Sequence, residues 1–179
     1  MVRLVGKNII LRSVDFSDID TLLLWENSNS EPLYGIFEER YTRDDIAKFV
    51  LLQQHYSIAE TEQLRLMICS HDGERLGSID LTEYDGRKAF VSILIFDAHN
   101  RHKGFGYSAL QMIIEYAKDL GLRSLYATIM PDNTASIQLF EKAGFEDKGA
   151  ALYYKNLKSY IPHSYNKSSN ILADIPIEE

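Results

Sequence analysis

The stretch AFVSILIFDAHNRHKGFGYSALQMIIEYAKDLG, residues 89–121, is where the fold can be read. It begins with AFVSILIF (89–96), an apolar run of the buried-strand type. It ends in a helix over 105–120, where Leu110, Ile113, Ile114, Ala117 and Leu120 follow helical spacing and Gly121 supplies a stop. Between strand and helix lies RHKGFGY (101–107). Glycines at a helix entrance let the backbone approach a ligand closely, and the free N–H groups and positive dipole end there favour phosphate oxygens. Arg101 and Lys103 add formal positive charge at that place.

Working upstream, LRLMICS (64–70) and RLGSIDLT (75–82) read as strands. Asp72-Gly73 and Asp85-Gly86 lie in the connections, and Asp-Gly between apolar runs predicts hairpins. Before this meander, NIILR (8–12) reads as a short strand. A helix follows, capped by Asp15 or Ser17, with Ile19, Leu22 and Leu23 as its apolar stripe and Trp25-Glu26 at its end. Thr42-Arg43-Asp44-Asp45 is close to a capping box and opens a second helix that buries Ile46, Phe49 and Val50.

Downstream, SLYATIM (124–130) is a buried-type strand. Asp132 or Asn133 caps a helix through Ala143, Gly144 ends it, and Phe145 begins a weaker strand reaching about Tyr154. The expected order is β-α-α-β-β-β-α-β-α-β, an α/β (α+β) fold with a mixed sheet flanked by helices on both faces. Residues 1–155 are expected to form a single domain. In the tail, 156–179, Pro176 limits 171–177 to an edge strand.

Composition narrows the function. The chain has 179 residues, 45% hydrophobic and 25% charged, which fits one globular domain. No run approaches the ~18 apolar residues of a membrane helix, and the start is too polar for a secretory signal, so a soluble cytoplasmic protein without membrane partners is expected. Cys69 is the one cysteine, which excludes an internal disulfide and a Cys-based zinc framework and is most simply a small core residue. His99-x-x-His102 lacks further ligands, so no metal site is expected. The net charge of −7 argues against nucleic acid. Nine acids between Asp15 and Asp45, Glu26 and Glu31 among them, stand against Arg40 and Arg43, and the other acids and bases cancel. That segment reads either as two solvated helix faces or as a negative wall attracting a cation.

The glycine loop admits three readings. One is a tight turn with solvated basic residues. Another is a dinucleotide fingerprint, since Gly104-x-Gly106-x-x-Ala109 fits G-x-G-x-x-A; however, the following strand carries no acid for a ribose. The third is a resemblance. Arg101-x-x-Gly104-x-Gly106 after a strand matches the R/Q-x-x-G-x-G/A motif of the GCN5-related N-acetyltransferases (GNAT). Asn133-x-x-Ser136…Phe140-Glu141-Lys142-x-Gly144-Phe145 resembles their next motif at the expected separation. The resemblance covers about residues 8–155, with the elements in the right order. Trp25-Glu26-Asn27 and Gly77-Ser78-Ile79-Asp80-Leu81 are similar to the branch of ribosomal-protein-alanine and spermidine N-acetyltransferases.

This resemblance implies acetyl-CoA as the acetyl donor, with its pyrophosphate on the amides of His102, Lys103, Gly104, Phe105, Gly106 and Tyr107. It implies a central sheet splayed between the strand before the loop and the strand after the helix. Backbone groups of Leu94, Ile95 and Phe96 would hold the pantetheine arm in that gap, one N–H polarising the thioester carbonyl. Asn133 would bond the pantetheine amide, besides its capacity to cap a helix, and Ser136 would lie near the sulfur. Phe140 stands where many members have the tyrosine that protonates the departing thiolate; Ser136 is the remaining nearby hydroxyl. As general base for an ammonium near pKa ~10.4, Asp80 and Glu83 are candidates, although strand alternation favours a solvent face for Asp80 and a water chain could serve instead. The first two helices would wall the acceptor, with Glu26 and Glu31 as contacts. The expectation is an N-acetyltransferase acting on a cationic primary amine of a polyamine, an aminoglycoside or a protein N-terminus. The alternative is a non-catalytic acyl-CoA-binding or sensing domain. Assembly as a homodimer is left open.

Overall fold

The computed structural model describes residues 1–28 and 40–157. The chain opens with β1 (Arg3–Val5) and β2 (Ile10–Ser13), then a 3-10 turn (Phe16–Asp18) leading into α1 (Ile19–Ser28). Asp15 is the cap: its side chain accepts from the Ser17 amide, while Asp18 returns a bond to the Asp15 amide. After α2 (Arg43–His55) and the short α3 (Ile58–Thr61) comes the meander β3 (Leu64–Cys69), β4 (Arg75–Thr82) and β5 (Lys88–Ile95). Thr42 and Asp45 complete the capping box that opens α2. The remaining elements are α4 (Phe105–Asp119), β6 (Ser124–Thr128), α5 (Thr134–Lys142), β7 (Glu146–Asp147) and β8 (Leu152–Asn156).

Three elements differ from the expected order. β1 and α3 are too short to show a period. The expected strand over 145–154 is a hairpin instead, turned at Gly149, Ala150 and Ala151, all with positive φ (81°, 50° and 63°). Its second arm, β8, pairs antiparallel with β6 from Ser124↔Asn156 to Thr128↔Leu152, so the sheet does gain a clear last strand. Leu157 beyond it is buried. The expected edge strand at 171–177 lies outside the described residues, as does Glu31.

The sheet runs β1-β2-β3-β4-β5-β6-β8-β7, and β5/β6 is its one parallel pair among the described residues. Alternating residues sort its two faces into two cores. One face, with Ile79, Leu81, Val91 and Leu125, packs on the α4 stripe of Ala109, Leu110, Ile113, Ile114 and Ala117 and on Phe140 and Ala143 of α5. The other, with Met67 and Cys69, packs on Leu22, Trp25, Ile46 and Val50 of α1 and α2. The fully buried Asp18 fixes α1 to the sheet. It takes two bonds from Arg12 (both 2.7 Å) and one from Arg75 Nε (2.6 Å). Burial alone would lift the Asp18 carboxyl, but these bonds together hold it below the usual carboxylate range.

The parallel pair is short. It spans only Lys88↔Ser124 to Phe90↔Tyr126, although β5 continues to Ile95 and β6 to Thr128. Past Phe90 the two strands part. On its other side β5 leans hard on β4: a Cβ at Gly77 would stand 1.8 Å from the Leu94 carbonyl oxygen, so only glycine fits there. The expected splay is thus present, and Gly77 admits the close approach of β5 to β4 on its other side.

Candidate active site

Past the point where β6 leaves it, the end of β5 lines a cavity of about 500 Å³ together with the N-terminus of α4 and α5. Gly104 caps that helix in the left-handed region (φ 85°), preceded by His102 at φ 59°. These two turns aim the loop amides outward. Among the described residues, no amide from His102 to Tyr107 has an intrachain acceptor. Such unsatisfied first-turn donors, at the positive end of a 15-residue helix, form an anion cradle. Gly106 has ordinary φ, and a Cβ there would face Leu139, Ile93 and Ile95 at 3.5–3.8 Å. Its bareness keeps the cavity mouth open.

The structure brings Leu94, Ile95, Arg101, His102, Gly104, Gly106 and Tyr107 together on this cavity, with Asn133 and Ser136 across from them on α5. Asn133 Oδ1 accepts from the Ser136 amide (3.1 Å), which makes it the α5 cap, while its Nδ2 has no partner among the described residues. Capping therefore leaves the amide nitrogen of the same side chain uncommitted among the described residues. Ser136 is half-buried on the cavity wall. Arg101 turns its guanidinium back onto the chain, donating to the Ile95 and Phe96 carbonyls at 3.1 and 3.2 Å.

Two expected cofactor contacts, Phe140 and Phe96, lie elsewhere, and Phe105 and Lys103 offer the site their amides but not their side chains. Phe140 is 3% exposed and packs edge-on against Phe145 at 5.0 Å, inside the core. Phe96 stacks on Trp25 (5.5 Å), and its amide donates to Leu76 O (3.1 Å), so that N–H is committed to β4. Phe105 packs against the α4-side core, and Lys103 is exposed beside Asn100. The cavity also takes residues that carry no motif signal, Ile93, Ala135, Gln138, Leu139 and Asn100, and Lys142 from the second motif. Lys142 sits over the Tyr107 ring at 4.6 Å, so the mouth is basic. Helical spacing from Ser136 places Leu139 on the same side of α5, the one signal that could have found it.

The acid candidates separate. Asp80 is 8% exposed, not on a solvent face: α1 and α2 cover that side of β4. Both its oxygens are held by Arg65, at 2.7 Å (Nε) and 2.9 Å (Nη2). Burial pushes the Asp80 carboxyl up, against the pull of Arg65. The third arm of Arg65 bonds Glu26 Oε1, and its plane lies over Phe49 at 5.2 Å. Glu26 Oε2 has no partner among the described residues, and about a third of the side chain is exposed. Glu83 follows β4 at φ 52° and is exposed. Register sets Ser78 opposite Leu94, so at ~3.3 Å per residue Glu83 lies roughly 17 Å along the strand from the cavity level. Cys69 is buried in the second core, which pushes its thiol up, and His99 bonds Asp97 on the surface.

Residues 8–146 match the family model described as "Acetyltransferase (GNAT) domain". The chain belongs to the GNAT acetyltransferase family and is an N-acetyltransferase. It is 27% identical over 164 residues to "Probable N-acetyltransferase YjcK" of Bacillus subtilis, covering 87% of this chain and 88% of that protein. It is 25% identical over 143 residues to "Uncharacterized protein MJ1062" of Methanocaldococcus jannaschii, where the match spans 77% of this chain but 28% of that protein's length. The fold is shared with spermidine N-acetyltransferase from Vibrio cholerae in complex with CoA and spermine (TM-score 0.64, 23% identity, 80% of this chain and 84% of that one). A dodecameric structure of that enzyme gives a TM-score of 0.70 at 20% identity, over 87% of this chain and 98% of that one. Among the described residues, no helix is long and apolar enough to cross a membrane.

Proposed function

We propose that the chain transfers acetyl from acetyl-CoA to a cationic primary amine, by direct attack in a ternary complex. The observation that carries this reading is one cavity that joins a row of unpaired loop amides to the end of β5 that β6 has left unpaired. The amides from His102 to Tyr107 suit a pyrophosphate, and that strand end suits an extended pantetheine arm with polar groups at regular spacing. Asn133 Nδ2 is available to an amide carbonyl of that arm. Where β5 leaves β6, the outward N–H of Ile95 would stabilise negative charge growing on the thioester oxygen. The amine loses its proton before attack, nitrogen bonds the acetyl carbon, and the C–S bond breaks. The thiolate, of a thiol with pKa near ~8.5, takes a proton with Ser136 as the nearby hydroxyl.

The acceptor reading rests on charge. Glu26 and Asp80 share the single guanidinium of Arg65, which leaves that triad net negative beside α1. That segment of sequence also holds Glu31. The buried, ion-paired Asp80 fits a role in holding Arg65 and Glu26 better than one as general base, and the proton then leaves through water. A homo-oligomer is in keeping with the dodecamer of the Vibrio cholerae enzyme. The test is CoA release across a panel of amines, with polyamines, aminoglycosides and N-terminal peptides beside neutral amines. Turnover best with a cationic acceptor, weakening as salt rises, is expected. A neutral or anionic best acceptor refutes the acceptor reading, and acetyl-CoA binding without turnover of any amine points to the acyl-CoA-binding alternative.

A further inference from the structure

We infer that Arg101 is a positioning residue for the thioester end of the site, acting through the main chain of β5 rather than as a ligand of the pyrophosphate. This rests on the reading of the cavity as the acetyl-CoA site. A basic residue opening an anion-binding loop would ordinarily point at the anion. Here the guanidinium points back, with Nε on the Ile95 carbonyl (3.1 Å) and Nη2 on the Phe96 carbonyl (3.2 Å). The Ile95 carbonyl ends β5 and that of Phe96 follows it, where β6 has already left, so no neighbouring strand offers the Ile95 group a ladder bond. Phe96 N–H is turned to Leu76 of β4. Antiparallel alternation then turns the N–H and C=O of Ile95 the opposite way, into the gap, and Arg101 meets that carbonyl there.

The grip is pre-set from the other end as well. Asp97 caps a short 3-10 turn by accepting from the His99 amide (2.9 Å), and the Arg101 amide closes that turn on Ala98 O (3.1 Å). One side chain thereby ties the entrance of the anion-binding loop to the last two peptides of the strand beneath it. It stands in for the missing strand, with charge-assisted bonds to neutral carbonyls. What it fixes is the register between the loop amides and the outward N–H groups of β5, which must engage opposite ends of one donor molecule.

The experiment compares wild type with Arg101→Met and Arg101→Lys, using two donors. Acetyl-CoA carries the pyrophosphate, and S-acetyl-pantetheine lacks it. Loss of the two bonds is expected to lower kcat/KM by the same factor, roughly tenfold, for both donors. Lysine cannot span both carbonyls and should not rescue. In ligand-free protein, hydrogen exchange of the Phe96 amide should quicken in both variants, because the strand end is released. A loss confined to acetyl-CoA, restored by lysine, with Phe96 exchange at the wild-type rate, makes Arg101 a pyrophosphate ligand and overturns the inference. If wild type uses neither donor, the acetyl-CoA reading fails, while the Phe96 exchange still decides whether Arg101 holds β5.

Discussion

Gly77→Ala puts the origin of the strand split to the test. The added Cβ would lie 1.8 Å from Leu94 O, 2.9 Å from Leu94 C and 3.1 Å from Ile95 Cα. With ~3.3 Å as the closest ordinary C···O approach, β5 must retreat by about 1.5 Å at Leu94. All three atoms are backbone, so no side chain can swing away to relieve the clash. Retreat from β4 carries Leu94 and Ile95 into the cavity that they line. Overpacking of this kind costs roughly 1–3 kcal/mol, and in a chain of this length that lowers Tm by roughly 2–12 °C. A 1 Å misplacement at a reacting centre can cost ~10²-fold, so acetyl-CoA affinity and turnover should fall well beyond what the stability loss explains. The assay pairs thermal unfolding with calorimetric acetyl-CoA titration. Ile114→Val, a core change on α4 remote from the cavity, serves as the stability-matched control. If Gly77→Ala keeps wild-type Tm and wild-type affinity, close approach of β5 to β4 does not set the split.

Gly106→Val should be folded, since φ there is ordinary and a Cβ meets only side chains at 3.5–3.8 Å, but its branches reach into the cavity mouth. Calorimetry should record more than a tenfold loss of acetyl-CoA affinity, ~1.4 kcal/mol or greater. Asp18→Asn breaks a fully buried carboxylate away from Arg12 and Arg75 and should cost about 3–5 kcal/mol by urea unfolding at pH 7. Because the folded-state pKa of Asp18 is depressed, its contribution is present above the unfolded value near ~3.9 and is lost as pH falls through the folded value. The variant should therefore show a shallower acid limb of stability than wild type. Ser136→Ala should lower kcat by at most ~10²-fold with acetyl-CoA affinity unchanged, since general-acid help to a thiol of modest pKa sits at the low end of the usual range. Wild-type turnover in that variant would mean that sulfur leaves unassisted.

Period and punctuation determined much of this protein. The meander of β3 to β5 follows from three apolar runs with Asp-Gly turns between them. The α4 stripe follows from spacing alone, and the anion cradle from Gly104 and Gly106 at a helix entrance. These signals are local: each depends on residues within a turn or two, so a linear reading reaches them. Tertiary structure decided the rest. Phe140 sits in the motif, but the rotation of α5 turns it into the core and gives the cavity wall to Ser136 and Leu139. Asp80 belongs to an alternating strand, yet it is buried because α1 and α2 cover its face, and Arg65, fifteen residues away, neutralises it. Gly77 reads as one residue of a strand run, and its need for a bare Cα shows only with Leu94 O beside it. Arg101 reads as a charge for phosphate until β6 departs and leaves the Ile95 carbonyl for it to hold, with that of Phe96 next along. Burial, partner and direction of a side chain are set by what the other strands and helices do in space, and the sequence around a residue does not carry that.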